Sequence, residues 1–324
     1  MAELSGRTGD DMHVLITGVG GFIGAHVARR FISEGYRVTG VDDFSGGKRE
    51  NVPDGLTLVE GDLAEAETIS RLPSDCKLIL HLAGQSSGEM SFDDPVLDLR
   101  KNAISTLNLV KYGIRNNTGR LVFASSVSLY GSVGDRPIKE SDLCDPSSCY
   151  GVSKLSAEGY LRVYSKQLPY VNLRMFNVYG PGQNLDNLRQ GMVSIYLAQS
   201  LNGGAIQVKG SVDRYRDYVY IDDVVEVWYR AATFENIKNM TLNIGTGVRT
   251  TVRDLLEVIK NELPDTSWYE EGSTLGDQFG HYADNSILKE ALQMSKFTSL
   301  GDGMKKFVGW AKRYGNDARS SSRL

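Results

Sequence analysis

Short apolar runs and amphipathic segments alternate along the first half of the chain. Runs of four or five mostly apolar residues predict buried strands, and apolar residues recurring every three or four positions predict helices. The predicted strands lie at 13–17, 37–41, 56–59, 78–82, 120–124 and 171–175. The predicted helices lie at 22–34, 94–115 and 148–168. This alternation is typical of an α/β fold, a doubly wound parallel sheet with helices on both faces.

The pattern loosens after residue 176. A helix is predicted at 188–201, and short strands are predicted at 218–221 and 241–244, either of which is free to return to the main sheet. We therefore predict one domain at 12–176 and a smaller carboxyl-terminal α/β substrate domain at 177–318. The polar segments 1–11 and 318–324 are predicted to be flexible tails.

Composition narrows the class of protein. Of the 324 residues, 41% are hydrophobic and 23% are charged, which suits a sizeable core without the signature of disorder. The net charge of −4 and the lack of a basic stripe argue against a nucleic-acid partner. No apolar run is long enough for a membrane span, and no signal region is evident. The three irregularly spaced cysteines predict neither a disulfide framework nor a metal site, and favour a cytoplasmic setting.

Three glycines, Gly18, Gly21 and Gly24, lie between the first predicted strand and the first helix. Glycines here let the backbone turn tightly and let a pyrophosphate approach the helix N-terminus. Their spacing is G-x-x-G-x-x-G instead of the more usual G-x-G-x-x-G, and an ordinary turn uses glycines equally well. In this strand–loop–helix setting, we interpret the first domain as a dinucleotide-binding Rossmann domain.

Two acids, Asp42 and Asp43, end the next strand. Asp42 falls about twenty residues after the glycine loop, where a carboxylate holds the ribose 2′-hydroxyl of a dinucleotide. Two acids repel a 2′-phosphate, which favours NAD over NADP, although Lys48 and Arg49 lie nearby. Asp62 follows another strand and is interpreted either as an adenine-side group or as a simple loop acid.

Tyr150 and Lys154 are four residues apart on a predicted helix, so their side chains share one face. A free tyrosine has a pKa of about 10, too high for a base at neutral pH. A neighbouring ammonium and a positively charged nicotinamide both favour the phenolate, and we expect them to lower this pKa enough for general-base catalysis. Ser126 ends a predicted parallel strand, where α/β folds place catalytic groups, and its hydroxyl is expected to bond the same substrate oxygen. The Tyr-x-x-x-Lys spacing also occurs by chance, so the prediction depends on Ser126 and the glycine loop.

Further motifs follow in order along the chain. Taken together with the motifs described above, they make residues 12–310 resemble the extended short-chain dehydrogenase/reductase family. The resemblance is specifically to its NAD-dependent nucleotide-sugar epimerases and dehydratases of the UDP-glucose 4-epimerase type. The resemblance rests on the motifs above and on His81-Leu82-Ala83-Gly84, Asn102, Arg174 to Gly182, Arg216-Asp217-Tyr218 and Asn243 to Gly247.

The resemblance implies a tightly held NAD and a 4-epimerase that forms a transient 4-keto sugar. Tyr150 is then the base for the sugar C4 hydroxyl, Ser126 orients that oxygen, and Lys154 holds the nicotinamide ribose. The implied cofactor-binding residues are Gly18, Gly21, Phe22, Ile23, Gly24, Asp42, Asp43, Asp62, Leu63, Leu82, Ala83, Gly84 and Asn102, together with Tyr150 and Lys154.

The resemblance also implies a nucleotide-diphosphate sugar as substrate. Asn177 and Arg216 are the implied diphosphate ligands, and a guanidinium suits that task because it forks onto phosphate oxygens. The alternative for Arg216 is a surface ion pair with a neighbouring aspartate, Asp213 or Asp217. The other implied substrate-side residues are Ser86 and Ser126 near the sugar, Asp277 at the nucleotide ribose, and His281 beside the sugar C2 position.

Two departures from the family pattern bear on function. Thr274 and Phe279 stand where relatives carry a second diphosphate arginine, so Arg189 or Arg214 is expected to take over that task. Ser128 stands where sugar dehydratases and decarboxylases carry an acid, and a hydroxyl is no strong acid.

An epimerase is therefore favoured over a dehydratase, reductase or decarboxylase on the same scaffold. Glu89 keeps the dehydratase alternative open. A non-catalytic dinucleotide sensor is disfavoured because Ser126, Tyr150 and Lys154 are all present.

Helices matching 94–115 and 148–168 form a four-helix dimer interface in relatives, so we expect a homodimer. The residues that would contribute apolar surface, unless they belong to the core, are Leu97, Ile104, Leu107, Leu161 and Tyr164.

Overall fold

The computed structural model describes residues 12–189, 191–273 and 278–321, with segment 314–321 described by its backbone. The strands are β1 (His13–Thr17), β2 (Arg37–Asp42), β3 (Thr57–Glu60), β4 (Leu78–His81), β5 (Arg120–Ser126), β6 (Tyr170–Met175), β7 (Asn177–Tyr179), β8 (Ile206–Val208), β9 (Tyr215–Arg216), β10 (Tyr218–Tyr220), β11 (Met240–Ile244), β12 (Thr250–Thr251) and β13 (Trp268–Glu270). The α-helices are α1 (Phe22–Ser33), α2 (Ala66–Ser70), α3 (Pro95–Leu99), α4 (Ser105–Arg115), α5 (Cys149–Val163), α6 (Met192–Leu201), α7 (Ile221–Thr233), α8 (Val252–Glu262), α9 (Ser286–Leu292) and α10 (Leu300–Ser321).

Seven strands form one parallel sheet in the order β11-β6-β5-β4-β1-β2-β3. The predicted doubly wound α/β fold is therefore confirmed. The chain moves outward from β1 in one direction and from β4 in the other, so the order reverses between these two strands. Ligands of such sheets bind in the crevice beyond the carboxyl ends of the strands at this reversal.

Alternation along each strand divides the core between the two faces of the sheet. On β1, Val14 and Ile16 belong to the cluster that also holds Phe31 of α1 and Trp228 of α7. Leu15 belongs to a second cluster, with residues of α4 and α5. A third cluster joins α6, α8 and α10 and forms the core of the carboxyl-terminal region.

The two late strands behave differently from each other. The strand expected at 241–244 forms β11 and joins β6 at one edge of the main sheet. The sequence left open whether 218–221 also returns to it, and it does not, because β10 pairs with β7 outside that sheet. The physical reason is that the chain leaves the sheet after β6 and the backbone of Asn177 turns to bond Asp217, so the later strand follows it. The domain boundaries at 176–177 and 318 remain predictions.

The helix expected at 94–115 is interrupted by a π-helical turn at Arg100–Ile104, which separates α3 from α4. Leu97 and Ile104 are exposed beside it, whereas Leu161 is buried in the core and is no surface residue. Leu107 and Tyr164 are half-buried.

At the carboxyl end, α10 continues to Ser321, into the tail expected from 318 onward. Segments 1–11 and 322–324 lie outside the described residues. None of the described helices combines the length and apolar character that a membrane span needs.

Candidate active site

A cleft of about 830 Å³ opens at the carboxyl ends of the parallel strands. It brings together residues that are far apart in sequence, from the glycine loop to segment 278–281. The predicted site residues that line it are Gly18, Gly21, Phe22, Ile23, Gly24, Asp42, Asp43, Asp62, Leu63, Leu82, Ala83, Gly84, Ser86, Ser126, Tyr150, Lys154, Asn177, Arg216 and His281.

Two predicted residues are not among them. Asn102 is fully buried behind the cleft wall, where its Nδ2 donates to Asp98 Oδ1 and to Ser153 Oγ, both at 3.1 Å. A side chain at Gly84 would overlap the Oδ1 atom of Asn102, so Asn102 supports the wall from behind. Asp277 lies outside the described residues.

The glycine loop fits a pyrophosphate group. Helix α1 begins directly after Gly21, which provides no side-chain cap, so the amides at this helix end remain available to an anion. A Cβ atom at Gly24 would overlap the carbonyl oxygen of Gly18. Gly18 itself has φ of 76°, and a Cβ there would lie 2.8 Å from the Ala83 nitrogen. Only glycine permits this close approach.

Asp42 is held by two backbone amides at the end of β2. Its Oδ2 accepts from Gly20 N and its Oδ1 from Phe44 N, each at 2.8 Å. Burial raises the pKa of this carboxyl, and the two amide hydrogen bonds oppose the rise. Of the basic residues that left cofactor choice open, Lys48 lines the cleft and lies 3.6 Å from both Glu50 and Asp186, and Arg49 pairs with Glu60.

Lys101 was missed by sequence reasoning. Its ammonium bridges Asp43 and Asp62, with 2.9 Å to Asp62 Oδ2, and so joins two acids predicted separately. Nothing in the sequence distinguishes this lysine from a surface lysine, because the contact depends on the π-helical turn that carries it. Gly46 and Gly47 also line the cleft. Their position shortly after Asp42 and Asp43 in the sequence was a signal from which this could have been predicted.

Tyr150 and Lys154 occupy the first two turns of α5, whose N-terminus is capped by the Ser148 side chain. The Lys154 Nζ atom lies 5.7 Å from the centroid of the Tyr150 ring and 4.9 Å from that of Phe123. Both side chains are buried, so neither carries its charge in bulk water.

The protein's own groups do not lower the Tyr150 pKa; the lowering expected from Lys154 together with a bound nicotinamide stays a prediction. Burial raises the pKa of Tyr150 to about 12, because a buried phenolate loses its hydration; a hydrogen bond with Ser126 opposes this rise. Burial also lowers the pKa of Lys154 to about 8, with Asp98 opposing. A base of useful strength therefore needs a positive charge beyond those of the chain.

Ser126 is the last residue of β5 and is nearly buried. Its Oγ accepts from the Ser128 backbone nitrogen at 3.1 Å, which caps the short 3-10 turn at Val127–Leu129. Tyr150, Ser126 and Lys154 thus line one part of the cleft, and the neighbouring Ser128 offers a hydroxyl instead of an acid.

On the substrate side of the cleft, two predicted residues are hydrogen-bonded to each other. His281 Nε2 donates to Asn177 Oδ1 at 2.8 Å, and burial lowers the pKa of His281 well below its ordinary value, so this imidazole is neutral. Its Nδ1 is buried and has no hydrogen-bond partner among the described residues.

Arg216 is buried and not a surface residue. Its guanidinium donates to the backbone oxygens of Tyr215, Gln278 and Phe279 at 2.8–3.1 Å. The alternative of a surface ion pair is wrong. Asp213 pairs instead with Arg253, and Asp217 is fully buried and accepts from the turn at 246–247.

The two candidates for the missing arginine differ in their partners. Arg189 pairs with Glu89 at 3.4 Å and Asp93 at 2.8 Å, across the mouth of the cleft. Arg214 lies two residues before Arg216, and both line the cleft. Their guanidinium groups have different backbone partners, since Arg214 Nε donates to the Ser211 oxygen at 3.2 Å. Phe279, where relatives carry arginine, packs edge-on against Tyr215.

The carboxyl-terminal wall contains residues that sequence reasoning did not single out. They come from α6 and α10, whose apolar periodicity gave no sign of a site: Met192, Ile195, Tyr196, Gln199 and Trp310.

Comparison with known families agrees with this geometry. Residues 14–245 match the model of the "NAD dependent epimerase/dehydratase family". The chain belongs to this family. A UDP-glucose 4-epimerase of Mycolicibacterium smegmatis is 32% identical over 308 residues, covering 92% of this chain and 97% of that protein. A putative UDP-glucose 4-epimerase of Methanocaldococcus jannaschii is 30% identical, with 92% and 98% covered.

A solved member of the family has the same fold. The UDP-glucose 4-epimerase of Thermotoga maritima, crystallised with UDP-glucose, is 34% identical, with a TM-score of 0.90, and the match covers 94% of this chain and 99% of that one. NAD is the cofactor of the epimerase/dehydratase family. The bare helix end after Gly21 and the close contact of Gly18 and Gly24 fit its pyrophosphate.

Proposed function

We propose that the protein is a nucleotide-sugar 4-epimerase, with UDP-glucose and UDP-galactose as its substrate pair. The observation that carries the proposal is that Tyr150, Ser126 and Lys154 line the same cleft as Arg214 and Arg216. The relatives named UDP-glucose 4-epimerase, which this chain matches over nearly their full length, support the proposal.

In the proposed reaction, Tyr150 removes the proton of the sugar C4 hydroxyl while Ser126 donates a hydrogen bond to the same oxygen. A bound NAD, held beside Tyr150 and Lys154, would supply the hydride acceptor and donor for the sugar C4. The 4-keto sugar then rotates in the cleft and presents its other face, and Tyr150 returns the proton to the C4 oxygen. The reaction has no net oxidation, so no second substrate is consumed.

The positive charge that Tyr150 needs comes from two sources in this scheme. Lys154 lies one helical turn away and is mostly in its ammonium form near neutral pH, because its pKa is about 8. The positively charged ring of a bound cofactor would be the second source. Together they oppose the burial that raises the Tyr150 pKa.

Elimination of water or carboxylate is the weaker alternative. Such a reaction needs an acid beside the sugar, and the neighbouring residue is Ser128, which is no strong acid. Glu89, the other candidate, forms an ion pair with Arg189 at 3.4 Å.

The sugar end of the cleft favours a neutral hexose over a hexuronate. The wall around Tyr150 contains the uncharged hydroxyls of Ser86, Ser128, Ser147 and Ser148. A carboxylate on the sugar requires a cation, and the nearby Arg189 already pairs with two acids. The carboxylate of a hexuronate would therefore lose its hydration in the cleft without gaining a cationic partner.

Arg214 and Arg216 are the proposed diphosphate ligands, with Asn177 beside them. Replacing either arginine by alanine is expected to raise the KM for UDP-glucose strongly, because charge-assisted forks are lost. Arg253→Ala is the matched control, since Arg253 is exposed and pairs with Asp213. An unchanged KM in both variants would leave the diphosphate without its proposed site.

The apolar surface of α3 and α5 supports a homodimer. These two helices pack together, and Val96 and Val163 on them are 74% and 72% exposed. Such a surface is typical of an interaction site. Val96→Glu with Val163→Glu should convert a dimer into a monomer in sedimentation; a wild-type monomer would contradict the proposal. The three free cysteines favour a reducing, cytoplasmic location.

The deciding experiment is an incubation of the purified protein with UDP-glucose, UDP-galactose and UDP-glucuronate, without added cofactor, followed by NMR and mass spectrometry. The expected result is interconversion of the first two, with unchanged mass and inverted C4, and little reaction of the third. A product lighter by one water would make the protein a dehydratase. Turnover only with added reduced cofactor would make it a reductase.

A further inference from the structure

A buried ion pair lies directly behind the cleft, and the proposed chemistry does not use it. Glu158 on α5 and Arg174 on β6 are both buried. Arg174 donates Nε to Glu158 Oε1 at 2.9 Å and Nη2 to Oε2 at 2.6 Å. Burying two charges costs desolvation that pairing often fails to return, so such a pair is weak evidence of a role in stability.

Glu158 shares a helix face with the proposed base. Tyr150, Lys154 and Glu158 are spaced by four residues on α5 and form one stripe along it. The hydrogen bonds of the Glu158 carboxylate therefore anchor the same face that carries the reactive groups. A rotation of α5 that displaced Tyr150 would also break the fork between Glu158 and Arg174.

The other end of this anchor is the strand that carries Ser126. Ser125, the residue immediately before it on β5, donates its hydroxyl to Glu158 Oε1 at 2.5 Å. The carboxylate thus connects the helix of Tyr150 to the strand end of Ser126.

Arg174 completes the connection beyond Ser126. Its Nη1 donates to the Tyr130 hydroxyl at 2.7 Å, and that hydroxyl donates to Asn243 Oδ1 at 2.7 Å. Tyr130 follows the short turn that begins after Ser126. The backbone on both sides of Ser126 is therefore tied to one buried pair.

We propose that Glu158, paired with Arg174, is a positioning residue that sets the separation between the hydroxyl groups of Tyr150 and Ser126. The inference rests on the proposed roles of those two residues. Displacements of about 1 Å at reacting groups cost up to roughly a hundredfold in rate, so a positioning error here has a large kinetic effect.

Glu158→Gln tests the proposal because it keeps the shape and removes the charge. The expected result is a kcat for UDP-glucose lowered by about 10- to 100-fold, with KM and bound NAD changed by less than about twofold. Leu161→Ala is the control for general destabilisation, since Leu161 is buried one turn later on α5 and contacts the core. That control should keep the wild-type kcat. A Glu158→Gln enzyme with normal kcat, or one whose loss matches that of Leu161→Ala, overturns the proposal.

A second readout does not depend on turnover. With ¹³Cζ-labelled tyrosine, the Tyr150 resonance is assigned by its loss in Tyr150→Phe. In Glu158→Gln it should move toward its position in Ser126→Ala, and in Leu161→Ala it should stay in place. A resonance that does not move overturns the positioning role even if the wild-type protein epimerises no sugar, and a resonance that moves in an inactive protein refutes only the proposed function.

Ser125→Ala covers the case in which Glu158→Gln does not fold, because it removes one hydrogen bond and adds no strain. Ser125→Ala should lower kcat and move the Tyr150 resonance in the same directions as Glu158→Gln does, but by smaller amounts. An unchanged kcat and resonance in this variant count against the proposal.

Discussion

Lys154 and Tyr150 are neighbours on one face of α5, and burial shifts their pKa values in opposite directions, that of Tyr150 upward and that of Lys154 downward. The ammonium nitrogen lies 5.7 Å from the centre of the phenol ring. Burial favours the neutral forms of both groups, since each charge alone is poorly solvated there. Tyr150 therefore stays protonated near neutral pH unless a further positive charge lies beside it.

Tyr150→Phe should lower kcat for UDP-glucose by about 10²- to 10⁴-fold, the usual contribution of a positioned general base. The content of bound NAD should remain as in the wild type, because the phenol hydroxyl is a small part of the cleft wall. Tyr160→Phe is the matched control on the exposed side of the same helix. Near-normal turnover in Tyr150→Phe would remove Tyr150 from the base role.

Lys154→Met should abolish turnover and stabilise the protein. The folded-state pKa of Lys154 is about 8, below the ordinary 10.5, so between these pH values the unfolded chain binds the extra proton. The free energy of unfolding of the wild type therefore rises as the pH increases through this window, and the buried charge costs stability below it. At pH 7 the variant should gain at most about 3 kcal/mol, and the gain should shrink by pH 9.5.

Urea unfolding at both pH values measures this difference. Lys111→Met, at an exposed position of α4, is the control and should show no pH-dependent gap. Equal stability differences at pH 7 and pH 9.5 for Lys154→Met would show that Lys154 is not destabilised by its burial.

Asp42→Ala should weaken NAD binding and shift the preference toward NADP by roughly tenfold or more, because a hydrogen-bonding carboxylate is lost from the groove. Calorimetric titration of cofactor-free protein with both dinucleotides measures the ratio. Glu67→Ala changes the net charge equally at an exposed position of α2 and should leave the ratio unaltered. If Asp42→Ala keeps the wild-type preference, another group selects the cofactor.

Gly24→Ala should abolish NAD retention, because the added methyl group overlaps the carbonyl oxygen of Gly18 and pushes α1 away from the loop. Gly159→Ala is the matched control on α5, where an added Cβ meets nothing within 4 Å. It should retain NAD and gain up to about 1 kcal/mol from helix propensity. Normal NAD content in Gly24→Ala would show that the loop tolerates displacement.

Much of the fold was predictable because its signals are local. Apolar runs and helical periodicity predicted the six leading strands and the helices between them. The parallel doubly wound sheet follows from their alternation. The pairing of the strand at 218–221 stayed open because its partner is chosen by a turn after β6, and no local pattern records that turn.

The sequence by itself determined the groups that the site contains. The glycine spacing, the acids that end β2, and the four-residue interval of Tyr150 and Lys154 are properties of one loop, one strand end and one helix face. Short-range geometry alone brings such groups into position.

Only the tertiary structure decided how these groups are charged and held. The Lys101 bridge, the buried position of Arg216, the place of Asn102 behind Gly84 and the fork of Glu158 with Arg174 all join distant segments. Burial likewise set the direction of the Tyr150 pKa, against the expectation from its neighbour. Desolvation depends on everything packed around a group, and packing is established only when the whole chain has folded.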